Sequence, residues 1–326
     1  MTIQNTFSFF KKALQKPITR IVISFFILLF LLSKLHLSDL WHSINQISLG
    51  LWVLSLTVFM AGHVVGVFKW RLLINTSNNK LPLSHAFPCY FAGLFANIFL
   101  PSLVGGDVVR AGLAIRFNKQ KESVILGGLL DRFLDTSALA LIVFGVTLFF
   151  PATLSTEDHK ILFWVSMLLL GFVLCCIIFL VVPLPRSVPN LLSKIVVRFR
   201  NVIKHMAKNP KQILLGSGMA LFIQILFILL FVFLGKVLGI HLSLPIWFII
   251  WPIAKLSTTL PISMGGIGIR EAALVVLLGR FAVSSSSSLG LGLIWESIFI
   301  ASSGIGGIFY FLLNKSNTRQ ETQLLQ

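Results

Sequence analysis

The sequence predicts an all-α polytopic membrane protein with two inverted repeats, each containing three transmembrane helices and one re-entrant hairpin broken by Pro and Gly. Hydrophobic residues make up 56% of the 326 residues and charged residues 11%, against about 25% charged in soluble domains. Several uncharged runs are long enough to cross a hydrocarbon core of about 30 Å. A Pro-Gly motif also occurs twice, 160 residues apart. This composition excludes a water-soluble globular enzyme and a disordered chain.

The first repeat is predicted over 18–150, after a basic N-terminal segment, 1–17, that we expect in the cytoplasm. No small-residue cleavage site follows the first apolar run, so we interpret it as an uncleaved helix rather than a signal peptide. The predicted elements of this repeat are a helix over 18–37, a helix over 47–68, a Pro-interrupted segment over 86–106 and a helix over 123–150.

The second repeat is predicted over 151–313 and is followed by a cytoplasmic tail, 314–326. It includes a basic interfacial helix, because apolar residues recur at helical spacing with lysines and arginines between them. The run Ser284–Ser288 is expected to be a loop. The predicted elements are helices over 161–183, 189–211 (the basic helix), 212–235 and 288–313, with a second Pro-interrupted segment over 244–269.

The two broken segments share a motif. Leu, Pro, Gly, Gly and Arg occupy the same offsets in Leu100–Arg110 and in Leu260–Arg270. A shift of 160 residues also superimposes two predicted helices of each half. Each half is predicted to cross the membrane three times. Because this number is odd, the second half would be inverted relative to the first. Inverted repeats with broken helices that meet near the midplane are typical of secondary transporters.

The distribution of Lys and Arg predicts the orientation. If each broken segment enters and leaves on one side, most cations fall on the side of the N-terminus, as the positive-inside rule requires. We therefore expect a multi-pass protein of the cytoplasmic (inner) membrane with both termini in the cytoplasm. The net charge of +17 is then explained by loops that meet anionic lipid, and no nucleic-acid partner is predicted.

The first motif is a candidate anion site. Pro101 breaks the helix, and Gly105 and Gly106 allow a tight turn or a close backbone approach. Asp107 suits the N-cap of the next helix. The free N–H groups of that helix, with Arg110 one turn further on, would bind an anion. The structural alternative is a kinked helix whose glycines pack against a neighbour.

The second motif resembles a glycine-rich nucleotide loop, but no β-α-β pattern surrounds it. Arg270 and Glu271 are instead expected at the mouth of the outward-facing hairpin. The candidate binding residues of this copy are Pro261, Gly265, Gly266, Gly268, Arg270 and Glu271.

Charged residues inside the predicted helices are further candidates, because each costs about 2.5–3.5 kcal/mol at the membrane centre. Asp131 and Asp135 share one helical face, and Arg132 is expected to pair with Asp135. They form either a structural ion pair or a polar wall of a headgroup pathway. Glu296, deep in the last helix, is expected to face a cavity or to pair with Arg132 or Arg270.

The sequence contains no metal-ligand or nucleophile pattern, so we predict no catalytic residue, metal or cofactor. His63 is interpreted as a core histidine.

The segments Pro101–Arg110, Leu130–Asp135 and Pro261–Glu271 together resemble the lysylphosphatidylglycerol synthase/flippase transmembrane family, over roughly residues 20–315. The resemblance implies a bacterial or archaeal polytopic membrane protein. Some relatives carry a soluble aminoacyl-transfer domain after the membrane part. We expect this chain to be a stand-alone member that does not synthesise aminoacyl-lipids by itself. Glu296 stands where the family leads us to expect a basic residue, which bears on the charge of the preferred headgroup.

The resulting hypothesis is a transporter-like lipid translocase that moves a phospholipid or a polyprenyl-phosphate-linked lipid between leaflets. Arg110 and Arg270 would meet its phosphate in turn. One alternative is a membrane-embedded transferase with Asp131, Asp135 or Glu296 as base. Another is a non-catalytic partner that presents lipid to a separate enzyme. The expected partners are anionic or zwitterionic membrane lipids, together with a lipid-modifying enzyme or a second copy of the chain.

Overall fold

A computed structural model describes residues 44–75, 80–100, 104–117, 121–150, 209–258 and 266–324, with isolated residues at 38, 41, 160, 163, 164, 167 and 171. The described residues form α-helices and no strand. Several predicted features lie wholly or almost wholly outside these residues: the helices over 18–37 and 161–183, the basic helix over 189–211, and the motif residues Pro101, Pro261 and Gly265.

The described helices follow the same order of lengths twice. A long helix, two short helices and a long helix occur in the first half and again in the second. The four long helices are apolar and long enough to cross a membrane, the last of them over Ser285–Leu312. These observations confirm an all-helical membrane protein. The helices are α1 Leu49–Ile74, α2 Leu83–Ala96, α3 Val104–Ile115, α4 Lys121–Phe149, α5 Pro210–Val237, α6 Leu244–Ser257, α7 Ile269–Gly279 and α8 Ser285–Leu324.

Two predicted boundaries are wrong for local reasons. The serine run expected as a loop forms the first turn of α8, because the Ser284 Oγ accepts a hydrogen bond from the Ser287 N–H at 3.1 Å. Helix α1 was expected to stop before Lys69, but it continues to Ile74. Lys69 is only 2% exposed, so it belongs to the interior and does not mark the end of a membrane span.

The two glycine motifs adopt different backbone conformations. Gly105 and Gly106 lie inside the first turns of α3, whereas Gly266 and Gly268 have φ angles of +89° and +87° in a turn before α7. The first copy has Val108 where the second has Gly268, and a β-branched residue does not tolerate a positive φ. Helix α3 therefore starts earlier, and Asp107 lies within its first turn. The expectation that Asp107 caps the helix is wrong.

The packing of the helices has an internal regularity. Helix α2 packs on α3 and on α8, and the corresponding α6 packs on α7 and on α4. Helix α4 contacts α1, α3 and α5, and the corresponding α8 contacts α5, α7 and α1. Helices α1 and α5 pack on each other. Exchanging α1–α4 with α5–α8 reproduces this set of contacts, so the halves are related by an approximate two-fold exchange.

The described helices combine an apolar exterior with charged side chains buried between them. Large apolar side chains on the long helices face outward, while charged side chains are buried between the helices. A lipid environment explains the apolar exterior, and internal ion pairs must then satisfy the buried charges. The exposed apolar residues include Leu54, Leu141, Phe222, Leu229 and Ile300; the buried charged residues are Lys69, Arg110, Asp131, Arg270, Glu271 and Glu296.

The contact between α2 and α3 depends on paired glycines. A Cβ added at Gly93 would lie 2.6 Å from the Gly106 carbonyl oxygen, and a Cβ at Gly106 would overlap Gly93 and Asn97. We expect Gly106→Ala to lower the free energy of unfolding by about 1–3 kcal/mol, because backbone atoms cannot yield to the added methyl group. Thermal unfolding of the protein in detergent measures the change.

The matched control is Gly112→Ala, which lies on the same helix where an added Cβ meets nothing within 4 Å. Because alanine favours a helix over glycine, this control should be neutral or slightly stabilising. Equal destabilisation by both variants would contradict the close approach of the two helices.

Candidate functional site

A cavity of about 140 Å³ lies at the centre of the described helices. All eight helices contribute side chains to its wall, among them Lys69, Arg110, Asp131, Lys255 and Arg270. The volume can hold several water molecules or a small polar group. The same wall carries aromatic rings and ionic side chains, so one part of it is apolar and another part is charged.

Arg110 is at the centre of the charged wall. Its Nη2 atom lies 3.0 Å from the Asp131 Oδ2 atom on α4 and 3.1 Å from the Asp107 Oδ1 atom on α3. The guanidinium also lies over two aromatic rings, 4.7 Å from the centre of Trp70 and 5.0 Å from that of Tyr90. Arg110, predicted to bind an anion beside a helix terminus, is therefore held by two carboxylates and two ring faces.

Lys69 and Arg132 complete this network. The Lys69 Nζ atom contacts Asp135 and lies 3.2 Å from the Asp131 Oδ1 atom, which confirms that the two aspartates share one face of α4. Arg132 donates to Asp107, with its Nη2 atom 2.9 Å from the Oδ1 atom. We call Lys69, Arg110, Arg132, Asp107, Asp131 and Asp135 the first ionic cluster; its three cations and three carboxylates balance.

The second ionic cluster consists of Arg270, Glu271 and Glu296. The Arg270 Nη2 atom lies 2.6 Å from the Glu271 Oε1 atom and also donates to Glu296. The other Glu271 oxygen accepts the Gly268 N–H at 2.7 Å and so fixes the start of α7. Arg270 is 6% exposed and Glu271 is fully buried. This burial contradicts the expectation that Arg270 and Glu271 lie at the mouth of a hairpin. Of the alternatives left open for Glu296, the structure shows the pair with Arg270.

The two clusters repeat one arrangement. In each half an arginine on the second short helix binds a carboxylate on the following long helix: Arg110 binds Asp131, and Arg270 binds Glu296. The arrangement ties α3 to α4 and α7 to α8 at the cavity.

The apolar wall is a group of stacked aromatic residues. The rings of Phe59 and Phe227 stack with centres 4.9 Å apart, and those of Trp251 and Trp295 meet edge to face at 4.3 Å. The His63 Nδ1 atom lies 3.3 Å from the Tyr90 hydroxyl. These rings give the cavity a surface suited to the less polar part of a ligand.

Lys255 enters the cavity from α6. Its Nζ atom donates to the Gln224 Oε1 atom at 2.7 Å and lies 5.5 Å from the centre of the Phe227 ring. Neither Lys255 nor Lys69 is among the candidate site residues predicted from the sequence. One signal could have identified Lys255: it is a charged residue within an otherwise apolar segment, which marks a functional position in a membrane protein.

The charged and aromatic side chains of the cavity wall can bind a polar or charged group. No group of three or more His, Cys, Asp or Glu side chains there could hold a metal ion. Asp131, Asp135 and Glu296, the candidate bases, each contact an Arg or Lys side chain.

Comparison with protein families adds one finding. Residues 18–305 match the family described as Lysylphosphatidylglycerol synthase TM region, in agreement with the resemblance of the three motifs. A comparison with curated proteins finds no match.

Proposed function

The chain belongs to the lysylphosphatidylglycerol synthase transmembrane-region family, whose membrane domains are associated with lipid handling, and from this premise we propose that it is a lipid translocase. It would move a phospholipid or a polyprenyl-phosphate-linked lipid between the leaflets of the cytoplasmic membrane. One observation carries the proposal: a charged cavity reached by all eight described helices lies inside an apolar exterior. Such a cavity offers a headgroup polar partners while its acyl chains stay in lipid.

We further propose that α2–α3 and α6–α7 are re-entrant hairpins of two inverted repeats. Helices α2 and α6 have 14 residues each, and α3 and α7 have 12 and 11. At this length they reach roughly 21 Å at most, which is short of a core of about 30 Å. The two-fold exchange of helix contacts supports the same arrangement.

The ionic clusters would act as the polar path. A headgroup would compete with the carboxylates for the cations of these clusters and then release the cations again. This competition prevents the headgroup from binding too tightly to leave. Arg132 and Asp135 are the more accessible members, with side chains 41% and 23% exposed, so they are placed to meet a headgroup first. The residues proposed for this path are Gly105, Gly106, Asp107, Arg110, Asp131, Arg132, Asp135, Gly266, Gly268, Arg270, Glu271 and Glu296.

The transferase alternative has weaker support. A general base must be placed to accept a proton from the reacting group, but Asp131, Asp135 and Glu296 are engaged by cations. Translocation requires only a polar path that binds the headgroup and releases it again.

The test is leaflet exchange in liposomes that contain the purified protein. With fluorescent phosphatidylglycerol in both leaflets, an impermeant quencher should reach nearly all of the label in protein-containing vesicles without ATP. Protein-free vesicles and vesicles with heat-inactivated protein are the controls.

Exchange no faster than in protein-free vesicles, across anionic and zwitterionic lipids, would overturn the translocase. A changed headgroup mass in the recovered lipid would support the transferase instead. Tight lipid binding without exchange would support a lipid-presenting partner.

A further inference from the structure

Lys255 differs from the other cations of the cavity. Lys69, Arg110, Arg132 and Arg270 each contact at least one carboxylate. Among the residues that the structure describes, Lys255 has no carboxylate within salt-bridge distance, and its partners are the Gln224 amide oxygen and the face of Phe227. The cavity therefore contains a cation whose charge is not neutralised by a direct neighbour.

This arrangement is energetically costly. Removing an ammonium from water costs several kcal/mol even after relaxation. A hydrogen bond to an amide and contact with an aromatic face recover only part of that cost. The ammonium has three donors, and Gln224 accepts from one of them. A cation retained under these conditions inside a membrane protein indicates a ligand that supplies the missing charge.

Lys255 and His63 have charged neighbours in common. The charged groups that act most strongly on Lys255 are one carboxylate, Asp135, and two cations, Arg132 and Lys69. The charges that act most strongly on His63 are all cations, and Lys255 is the strongest of them. Lys255 is therefore the dominant charge beside His63.

Polar atoms without a hydrogen-bond partner lie near Lys255 and His63. The Lys255 Nζ atom and the His63 ring both border Phe227, at 5.5 Å and 5.6 Å from its centre. Trp251 precedes Lys255 by one helical turn on α6 and so shares its face. The Trp251 Nε1 and His63 Nε2 atoms have no hydrogen-bond partner among the described residues. On this face of α6 the indole N–H thus has no acceptor, and the ammonium has one, the Gln224 amide oxygen.

We propose that Lys255 binds the phosphate of the transported lipid inside the cavity, with Gln224 as the residue that positions its ammonium. The substrate class is then a lipid whose headgroup carries a phosphate, and a cationic lipid without phosphate is excluded. The inference rests on the proposed translocase function and specifies its substrate. The aromatic wall of Phe59, Phe227, Trp251 and Trp295 would pack against the less polar part of the same headgroup.

The first test combines stability and exchange in Lys255→Met. Because the change removes a cation that no carboxylate neutralises in the cavity and keeps the volume of the side chain, the melting temperature should rise by about 2–4 °C. Exchange of fluorescent phosphatidylglycerol should fall at least tenfold. Lys255→Arg should keep most of the exchange, and Lys236→Met, at an exposed lysine on α5, should change neither quantity. A lower melting temperature together with unchanged exchange in Lys255→Met would assign Lys255 a structural role and overturn the inference.

The second test is lipid selectivity in phosphatidylcholine vesicles. The wild-type protein should exchange fluorescent phosphatidylglycerol and phosphatidylcholine at least tenfold faster than a fluorescent trimethylammonium-propane lipid, which lacks phosphate. Lys255→Met should remove this preference. Equal wild-type rates for the three lipids would overturn the phosphate site but leave the translocase standing.

A binding measurement distinguishes the proposed phosphate site at Lys255 from the proposed translocase function. Dihexanoyl phosphatidylglycerol should raise the melting temperature of the detergent-solubilised wild type and not that of Lys255→Met, whether or not vesicles show exchange. If exchange is absent but this difference is present, the translocase fails and the phosphate site stands. Equal stabilisation by inorganic phosphate would assign the site to the free ion and overturn the lipid substrate.

Discussion

Arg270→Ala is expected to lower the free energy of unfolding by about 3–5 kcal/mol and to abolish lipid exchange. Arg270 forms salt bridges with both Glu271 and Glu296, and these carboxylates are 0% and 5% exposed. Without the guanidinium, two like charges remain buried side by side, which is the costly way to break a buried ion pair. The melting temperature and the yield of monodisperse protein measure the effect.

The control for this variant is Arg280→Ala, at an exposed arginine just after the same helix, and it should stay near the wild type. Replacing the pair together, as Arg270→Met with Glu296→Gln, should recover part of the stability because one uncompensated charge is removed. An Arg270→Ala protein as stable as Arg280→Ala would show that the second ionic cluster contributes nothing to the fold.

Arg110→Ala is expected to cost about 3 kcal/mol, the lower end of the range for a broken buried pair, and to reduce lipid exchange strongly. Its two carboxylates keep other partners, because Lys69 still contacts Asp131 and Arg132 still contacts Asp107. The loss of stability in Arg110→Ala should therefore be smaller than that in Arg270→Ala. Thermal unfolding and leaflet exchange, measured on the same preparation, give both quantities.

Lysine should not rescue this position fully. The Arg110 guanidinium lies over Trp70 and Tyr90 while it binds two carboxylates, a geometry that a planar group satisfies and an ammonium does not. Arg116→Ala, at an exposed arginine near the end of α3, is the matched control and should have little effect. Full rescue by Arg110→Lys, or equal effects at 110 and 116, would reduce Arg110 to an interfacial anchor.

These two predictions differ from what the sequence alone suggests. From the motifs, Arg110 and Arg270 are expected to bind the phosphate of the lipid, so their alanine variants should lose function while the protein still inserts and accumulates normally. The structure surrounds both with buried carboxylates, so loss of stability is expected together with loss of exchange. A decrease in yield is then a consequence of the ion pairs and does not argue against a role in transport.

The amino-acid sequence alone predicts a polytopic α-helical membrane protein and the positions of most described helices. Long uncharged runs can cross a membrane only as helices, because every backbone polar group must find a partner inside the segment. The breaks at the repeated motifs followed from the local properties of proline and glycine. For this reason α4, α5 and α8 begin within three residues of their predicted starts.

The identity of the ion pairs follows from the tertiary structure alone. Asp107 and Arg132 are 25 residues apart in the chain, and Lys69 and Asp135 are 66 apart; no local pattern links such pairs. Lys69 and Lys255 are not among the predicted site residues, because a charge near the end of an apolar run is ambiguous between water and the interior. The packing of α1 on α4 and of α6 on α4 and α5 turns both lysines toward the cavity. An ion pair is selected by the distance between side chains after the helices have packed, and that distance is a property of the fold and not of any one segment.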